Sequence, residues 1–263
     1  MALSYQAVGW NRQKKIYDLI MLAFMLAFLL LFSGLTLLWQ PGITTETLLI
    51  RASGSLAFLM FHVVLAIGPL TRLNERFLPL LYNRRHLGVA TFLLAAVHGL
   101  FNLIQFHALG NVDPLFSLFT SNTYYSDLGL FPFQTLGFFA LLILFAMAAT
   151  SHDFWLKTLS PSFWKTLHML VYPAYALLVM HVLLGVVQSE GYSPAVLSMG
   201  AGMATLLLLH LAAAGRSRLR KHALTPAEDG FQLACRVEDI PEDRAVVLYL
   251  DGENIAIFRY EGK

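Results

Sequence analysis

The sequence has 263 residues, of which 57% are hydrophobic and only 13% are charged, and its mean hydropathy is +0.62. Soluble domains are about one quarter charged, so this composition indicates a membrane protein surrounded by lipid. The net charge of only +2 argues against a nucleic acid partner. The single cysteine, Cys235, excludes an internal disulfide framework, a cysteine-ligated iron–sulfur cluster and a zinc finger within these residues.

Six apolar segments come close to the length of about 20 residues that a helix needs to cross a bilayer. They cover residues 17–39, 53–71, 86–106, 133–150, 164–187 and 194–214. The sequence therefore predicts an all-α membrane protein: a six-helix transmembrane domain over residues 17–214, preceded by a cytoplasmic segment over residues 1–16. A short cytoplasmic β segment is expected at the C-terminal end.

The basic residues indicate how the helices are oriented. Thirteen lysines and arginines lie before span one, between spans two and three, around the start of span five and after span six. The three connections on the other side contain only Arg51. The positive-inside rule therefore predicts a multi-pass protein of the cell inner membrane with both termini in the cytoplasm. The loop over residues 107–132 has no basic residue and is expected on the outer side, where it would form a docking surface for an acceptor.

Two predicted spans carry histidines at similar depths. Span three carries His86 and His98, and span five carries His168 and His181. The two histidines of each span are separated along the helix axis by about 18 Å and about 20 Å respectively. Because the two spans run in the same direction, the pairs define two levels, an outer one with His98 and His181 and an inner one with His86 and His168.

Histidine is costly inside a bilayer, so these side chains indicate a functional site. Two helices that present histidines at the same depth can hold a heme edge-on, with one imidazole on each face of the iron. One or two b-type hemes at the two levels would form a path for electrons across the roughly 30 Å apolar core. The expected iron ligands are His98, His181, His168 and His86.

The inner level has a second candidate ligand. His86 sits at the water interface beside Arg84 and Arg85, where an interfacial histidine needs no metal. His62 lies in the middle of span two, in an uncharged stretch, and could bind the cofactor in place of His86. Alternatively, His62 is a buried histidine that forms a hydrogen bond across helices.

Other residues in or near the spans could contact a heme or its partner. Gly88, Gly99 and Gly185 would let a porphyrin approach a helix backbone, although small residues are also common where membrane helices pack. His107 is expected at the outer membrane edge, exposed to solvent. It could help a partner of the outer heme to dock.

The composition changes after span six. Residues 215–230 read as a basic linker, and residues 231–263 are polar and β-like. Ala245–Leu250 and Asn254–Tyr260 flank Asp251-Gly252, a pair that favours the tight turn of a β-hairpin. So short a segment cannot bury a core by itself, so either it packs on something else or a longer domain continues beyond it.

Two stretches resemble the ferric-reductase-like transmembrane domain family. One is Gly68–Gly88 (GPLTRLNERFLPLLYNRRHLG) with the following Val97-His98, and the other is Phe163–His181 (FWKTLHMLVYPAYALLVMH). The family includes ferric reductases, the membrane cores of NADPH oxidases and heme-binding subunits of methionine sulfoxide reductase systems.

This resemblance covers about residues 50–215 and implies six helices with b-type hemes held by histidines on spans three and five. Mapped by motif, it supports His98, His168 and His181 as ligands. Oxidase-type members also use a histidine at the start of span three, which corresponds to His86.

The C-terminal stretch CRVEDIPEDRAVVLYLDGENIAIFRYEGK resembles the opening strands of a Rieske-type ferredoxin domain. A Rieske cluster needs a Cys-x-His and a Cys-x-x-His pair, and neither is present. A [2Fe-2S] cluster is therefore expected only if the chain continues beyond Lys263.

Together these features predict transmembrane electron transfer through bis-histidine heme b, as a component of an oxidoreductase. The donor would be a redox partner protein or a quinol on the cytoplasmic or membrane side, and the acceptor would lie on the outer side, although the direction could be reversed. The alternative is a non-catalytic membrane anchor or assembly subunit for a cytoplasmic Rieske-like redox domain. A small transporter is disfavoured because the spans contain almost no carboxylates.

Overall fold

The computed structural model describes residues 10–190, 194–219, 234–240, 244–250 and 253–259. Within these residues the chain forms nine α-helices and one two-stranded sheet. The helices are α1 (Arg12–Trp39), α2 (Thr45–Leu73), α3 (Leu78–His107), α4 (Pro114–Thr120), α5 (Phe133–Ala149), α6 (Asp153–Thr158), α7 (Pro161–Met169), α8 (Val171–Glu190) and α9 (Pro194–Leu219). The strands are β1 (Arg244–Leu250) and β2 (Glu253–Arg259).

Five helical segments of the described chain are long and apolar enough to cross a membrane. They are Arg12–Trp39, Thr45–Leu73, Glu75–His107, Pro161–Val186 and Leu197–Arg216. The prediction of a multi-pass membrane protein is thereby confirmed. The predicted count of six spans is not confirmed, because α5 has only 17 residues and extends about 25 Å.

Span five is divided into two helices. Helix α7 ends at Met169, and α8 begins at Val171. Pro173 has no N–H to donate to the carbonyl of Met169, so one α-helical hydrogen bond is missing in this turn. The break lies at Leu170, two residues after His168.

Four helices form the centre of the bundle. Among the described helices, α2 with α3 and α5 with α8 make the most extensive contacts. Helix α5 also runs antiparallel to α3, since Gln134 at its start contacts Asn102 and Ser151 just after its end contacts Arg85. Helix α5 is antiparallel to α8 as well, since Phe133 at its start contacts His181 and Ser151 after its end lies beside His168, just before α8. Helices α3 and α8 therefore run in the same direction.

The core between these helices is tightly packed. Leu56 on α2 and Ala140 on α5 are fully buried, and so is Ala174 on α8. Two clusters of buried apolar side chains continue from α2, one toward α3 and the other toward α5, α8 and α9. Small side chains such as these alanines let helix backbones approach closely, which is the main source of packing energy between helices in a membrane.

Helix α1 is peripheral and is attached near its start. Leu30 and Leu38 are 74% and 78% exposed, as expected for side chains that face lipid. Near the start of α1, Asp18 accepts hydrogen bonds from Trp10 and from His86 on α3. This end of the bundle, called the basic end below, also holds an ion pair between Arg85 and Asp153 at 2.9 Å.

The chain divides into two compact units, Met1–Leu207 and Leu208–Lys263. The second unit contains the predicted hairpin, in which β1 pairs antiparallel with β2 from Arg244 opposite Arg259 to Leu250 opposite Glu253. The hairpin is confirmed. Its turn, Asp251-Gly252, and most of the predicted linker 215–230 lie outside the described residues.

Candidate heme site

The structure brings His98 and His181 together inside the bundle. His98 lies on α3 and His181 on α8, and their ring centroids are 6.0 Å apart with an angle of 82° between the ring planes. Both side chains are half-buried. The helical stretches around them, residues 87–106 and 169–187, contain no aspartate, glutamate, lysine or arginine. The pair therefore lies in a neutral, apolar part of the bundle.

Each ring is oriented by a backbone carbonyl of a neighbouring helix. The Nδ1–H of His98 donates to the carbonyl oxygen of Ile50 on α2, and that of His181 donates to the carbonyl oxygen of Phe133 on α5, both at 2.9 Å. Because a carbonyl oxygen can only accept, Nδ1 carries the proton and Nε2 of the neutral ring keeps its lone pair. This is the usual support for a histidine whose other nitrogen binds a metal.

The separation of the two rings fits one metal ion between them. A bond from imidazole nitrogen to a metal is about 2 Å long, and the nitrogen lies about 1 Å from the ring centroid. Two ligands on opposite sides of one ion would therefore have centroids about 6 Å apart, which matches the 6.0 Å between His98 and His181.

Two imidazoles are too few ligands for the usual protein site of a transition metal, which has three or four. The part of the chain that the structure describes contains no group of three or more histidine, cysteine, aspartate or glutamate side chains that could hold a metal. The pair therefore suits a metal that brings other ligands with it, such as an iron held by the four nitrogens of a porphyrin. The residues present fit a heme.

His168 lies on α7 toward the basic end. Its ring stacks on Trp164 with centroids 3.8 Å apart, and its Nδ1–H donates to the carbonyl of Trp164 at 3.0 Å. The hydroxyl of Ser151 is 3.5 Å from Nε2, which is long for an O–H···N hydrogen bond. The contact of Ser151 with Nε2 of His168 is therefore weak.

His86 is paired with an acidic residue of α1. Its Nδ1–H donates to Asp18 Oδ1 at 2.7 Å. A carboxylate on Nδ1 is the other common support of a metal-binding histidine, because it also fixes the proton on Nδ1. Within the described residues, no ring contact joins His86 to His168, so the structure does not bring the predicted inner pair together as it does the outer pair.

His62 uses both ring nitrogens within the bundle. Its Nδ1–H donates to the carbonyl of Phe58 at 2.9 Å, and its Nε2 accepts from the hydroxyl of Tyr175 on α8 at 3.1 Å. A Cβ atom on Gly202 of α9 would lie 3.2 Å from Nε2. The ring thus lies between three helices, and its bond to Tyr175 agrees with the alternative prediction of a histidine that forms a hydrogen bond across helices.

His107 was expected to be solvated, and this prediction is wrong, because its side chain is only 5% exposed. Its Nε2–H donates to Gln134 Oε1 on α5, and its Nδ1 accepts from the hydroxyl of Ser117 on α4, both at 3.0 Å. Gln134 in turn donates to Asn102 at 3.3 Å. Helix α4 folds back over the end of α3 and covers the ring, a contact that local hydropathy does not reveal.

The loop predicted over 107–132 carries α4 and is ordered by bonds of its own. Asn122 donates to the carbonyl of Leu130 at 2.7 Å, and Asp127 accepts from the N–H of Gly129 at 2.8 Å. Tyr124 and Tyr125 are more than half exposed. The surface that this loop presents remains a predicted docking site.

The glycines closest to the outer histidines were not singled out from the sequence. Gly54 and Gly137 each lie directly beside an imidazole ring. Of the glycines that were singled out, Gly99 faces a side chain of Leu141 and Gly185 faces the ring of Phe133, which are contacts of helix packing. An added Cβ on Gly88 would meet no atom within 4 Å.

Comparisons with known proteins identify relatives. A family model described as "Ferric reductase like transmembrane component" matches residues 18–179, a region that contains His98 and His168 and ends two residues before His181. Three relatives bear the name "Protein-methionine-sulfoxide reductase heme-binding subunit MsrQ". One, from Herminiimonas arsenicoxydans, is 30% identical over 194 residues, which are 74% of this chain and 84% of that protein.

The second relative, from Xanthomonas campestris pv. campestris (strain B100), is 33% identical over 59% of this chain and 64% of its own length. The third, from Bordetella pertussis (strain Tohama I), is 34% identical over 51% of this chain and 59% of its own length. The chain thus spans less than two thirds of these two relatives. With more than half of its residues matched by the family model, the chain belongs to the ferric reductase like transmembrane component family.

Proposed function

We propose that this protein transfers electrons across the membrane through a b-type heme held between His98 and His181. The observation that carries the proposal is the 6.0 Å separation of two imidazole rings on separate helices, each with Nδ1 bonded to a carbonyl. The family match and the heme-binding relatives support the same function.

A bound heme b supplies reversible one-electron chemistry at its iron. The side chains of His98 and His181 would hold the heme iron, and an iron held by two imidazoles would suit electron transfer. The carbonyls of Ile50 and Phe133 hold the imidazoles in the ligand tautomer. The uncharged helices around the site exclude water and keep the dielectric low.

We infer a second heme site at the inner level, formed by His168 with His86. Nδ1 of each ring donates to an acceptor, the carbonyl of Trp164 for His168 and the carboxylate of Asp18 for His86. Nε2 of His62, by contrast, already accepts from Tyr175. The hydrogen bonding therefore favours His86 over His62 as the second inner ligand.

We also propose that α5 crosses the membrane as the sixth span. Its start lies beside His181, and its end lies beside His168, so it follows α8 through both levels of histidines. A slightly short helix is accommodated by local thinning of the bilayer at modest cost. With six crossings and the positive-inside rule, the basic end faces the cytoplasm of an inner membrane, where a redox partner protein or quinol would deliver electrons.

The direct test is optical spectroscopy of the purified, detergent-solubilised full chain. The reduced-minus-oxidised spectrum should show a b-type band, and chemical analysis should give two hemes per chain. His98→Ala and His181→Ala should each lose one heme per chain. His152→Ala, at an exposed position of the basic end, is the matched control and should keep both.

Three results would count against the proposal. A chain without any b-type band would refute heme-mediated electron transfer and support the membrane anchor. One heme per chain would refute the inner site. Full heme content in His98→Ala and in His181→Ala would refute the assignment of the outer ligands.

A further inference from the structure

His98 and His181 are held by equivalent residues of two different helix pairs. His98 on α3 donates to Ile50 on α2, and His181 on α8 donates to Phe133 on α5. Donor and acceptor are 48 residues apart in both cases. Each residue of the second pair follows its counterpart in the first by 83 positions.

The same offset relates two glycines. Gly54 follows Ile50 by one helical turn, and Gly137 follows Phe133 by one helical turn. A Cβ atom on Gly54 would lie 2.6 Å from Nδ1 of His98. A Cβ atom on Gly137 would lie 2.8 Å from Nδ1 of His181. Real Cβ atoms essentially never come this close to another side chain, so each ring occupies the space that a side chain would fill.

The position of the glycines has a physical reason. In an α-helix the carbonyl of residue i points along the axis to the N–H of residue i+4. The side chains of the following turn normally shield this carbonyl from a neighbouring helix. A glycine at i+4 removes that shield, so an imidazole from another helix can reach the second lone pair of the carbonyl oxygen.

A third pair of residues follows the same offset. Gln105 and Gln188 each come two helical turns after a histidine of the outer pair. The amide of Gln105 donates to the hydroxyl of Thr47 at the start of α2 at 3.0 Å. The amide of Gln188 donates to the carbonyl of Phe131 just before α5 at 3.0 Å. Each glutamine thus ties its own helix to the start of the helix that supplies the carbonyl.

The correspondence stops at the inner level. The position equivalent to His168 is Arg85, and the position equivalent to His86 is Met169. The shared offset of 83 residues therefore relates the residues of the outer site alone, and it does not arise from a general similarity of apolar helices.

We infer that α2–α3 and α5–α8 are two copies of one histidine-presenting unit, in which Gly54 and Gly137 are positioning residues. Each glycine admits one imidazole to a helix carbonyl and so fixes the ring plane and the proton on Nδ1. This inference rests on the proposed function only in taking the two rings as ligands of one iron. The repeat itself is a property of the chain.

The first test is spectroscopic and uses Gly54→Ala and Gly137→Ala in the full chain. Each added methyl should displace one imidazole of the outer site, so the low-spin signature should fall by up to half, the share of one of two hemes, and a high-spin signature should rise. Gly34→Ala on α1, where the new methyl meets no atom within 4 Å, is the matched control and should leave the spectrum unchanged. Wild-type spectra from both glycine variants would overturn the inference.

The second test needs no heme. Alanine ordinarily stabilises a helix relative to glycine, but Gly54→Ala should lower the midpoint of thermal unfolding by several degrees because of the overlap with His98. In a His98→Ala background the methyl has room, and the same substitution should leave the midpoint unchanged or raise it. An equal loss in both backgrounds, or failure to fold in both, would overturn the inference.

These tests separate the inference from the proposed function. A chain that lacks heme but shows the background-dependent effect of Gly54→Ala would refute the function and retain the positioning role of the glycines. A chain with bis-histidine heme but no such effect would retain the function and refute that role.

Discussion

Replacing His62 by leucine is expected to leave the heme content unchanged and to lower the stability of the bundle. The ring donates to the carbonyl of Phe58 and accepts from the hydroxyl of Tyr175, so neither nitrogen is available to an iron. Leucine fills a similar volume but can form neither bond. The substitution therefore removes a link between α2 and α8 without touching the outer pair.

The expected loss follows from the contacts of the ring. Hydrogen bonds between membrane helices contribute about 0.6 kcal/mol on average and up to about 1.7 kcal/mol, so Tyr175→Phe should cost an amount in this range. His62→Leu should cost about 1–3 kcal/mol, because the half-buried Tyr175 hydroxyl loses its partner. The substitution also removes the edge contacts of the His62 ring, whose centroid lies 4.5 Å from that of Phe58 and 5.3 Å from that of Tyr175.

Two measurements check this prediction in detergent solution. Unfolding of the two single variants and of the double variant gives a coupling free energy, which should lie between about 0.6 and 1.7 kcal/mol. The heme-to-protein ratio of each variant should equal that of the wild type. A lower ratio in His62→Leu with a normal ratio in Tyr175→Phe would refute the reasoning, because it would show that the ring of His62 binds iron.

Two further predictions concern the buried His107 and the orientation of the two ends of the bundle in the membrane. His107→Phe should lower the free energy of unfolding by about 1–3 kcal/mol, since Gln134 loses a buried partner, whereas an unchanged stability would show that the ring is solvated after all. In a chain whose single cysteine has been replaced by serine, Val112→Cys and Arg76→Cys should react with a membrane-impermeant thiol reagent from opposite sides of the membrane. Labelling of both from one side would refute the proposed topology.

Hydropathy and charge were sufficient to predict a helical, multi-pass membrane protein, because a helix that crosses lipid must be apolar over its length. They were less informative about where helices end. Pro173 and Pro69 both lie within predicted spans, yet a helix break occurs at Leu170 and none occurs in α2. The outcome at a proline depends on whether neighbouring helices supply other partners for the freed backbone groups, and this is a property of the packed bundle.

The outer histidine pair could be predicted because depth along a helix follows from residue number. His98 and His181 were placed at one level on this basis, and the structure brings them together. The inner level could not be resolved in this way, because the choice between His62 and His86 depends on the contacts of their ring nitrogens, which residue number does not reveal. Gly54 and Gly137 were missed, although the shared spacing of 44 residues from each glycine to its histidine is visible in the sequence.

The contact of Nε2 separates the candidate ligands from the structural histidine His62, because all of these rings donate from Nδ1. A neutral imidazole has one proton, so a ring that donates from Nδ1 to an acceptor can offer Nε2 to a metal only if nothing else binds there. His98, His181 and His86 meet this condition within the described residues, and His168 nearly does, whereas His62 does not. For His98 and His181 the acceptors lie 48 residues away in sequence. We therefore propose that helix packing selects the ligands among these histidines, by placing a carbonyl or carboxylate behind one ring nitrogen and leaving the other nitrogen without a strong partner.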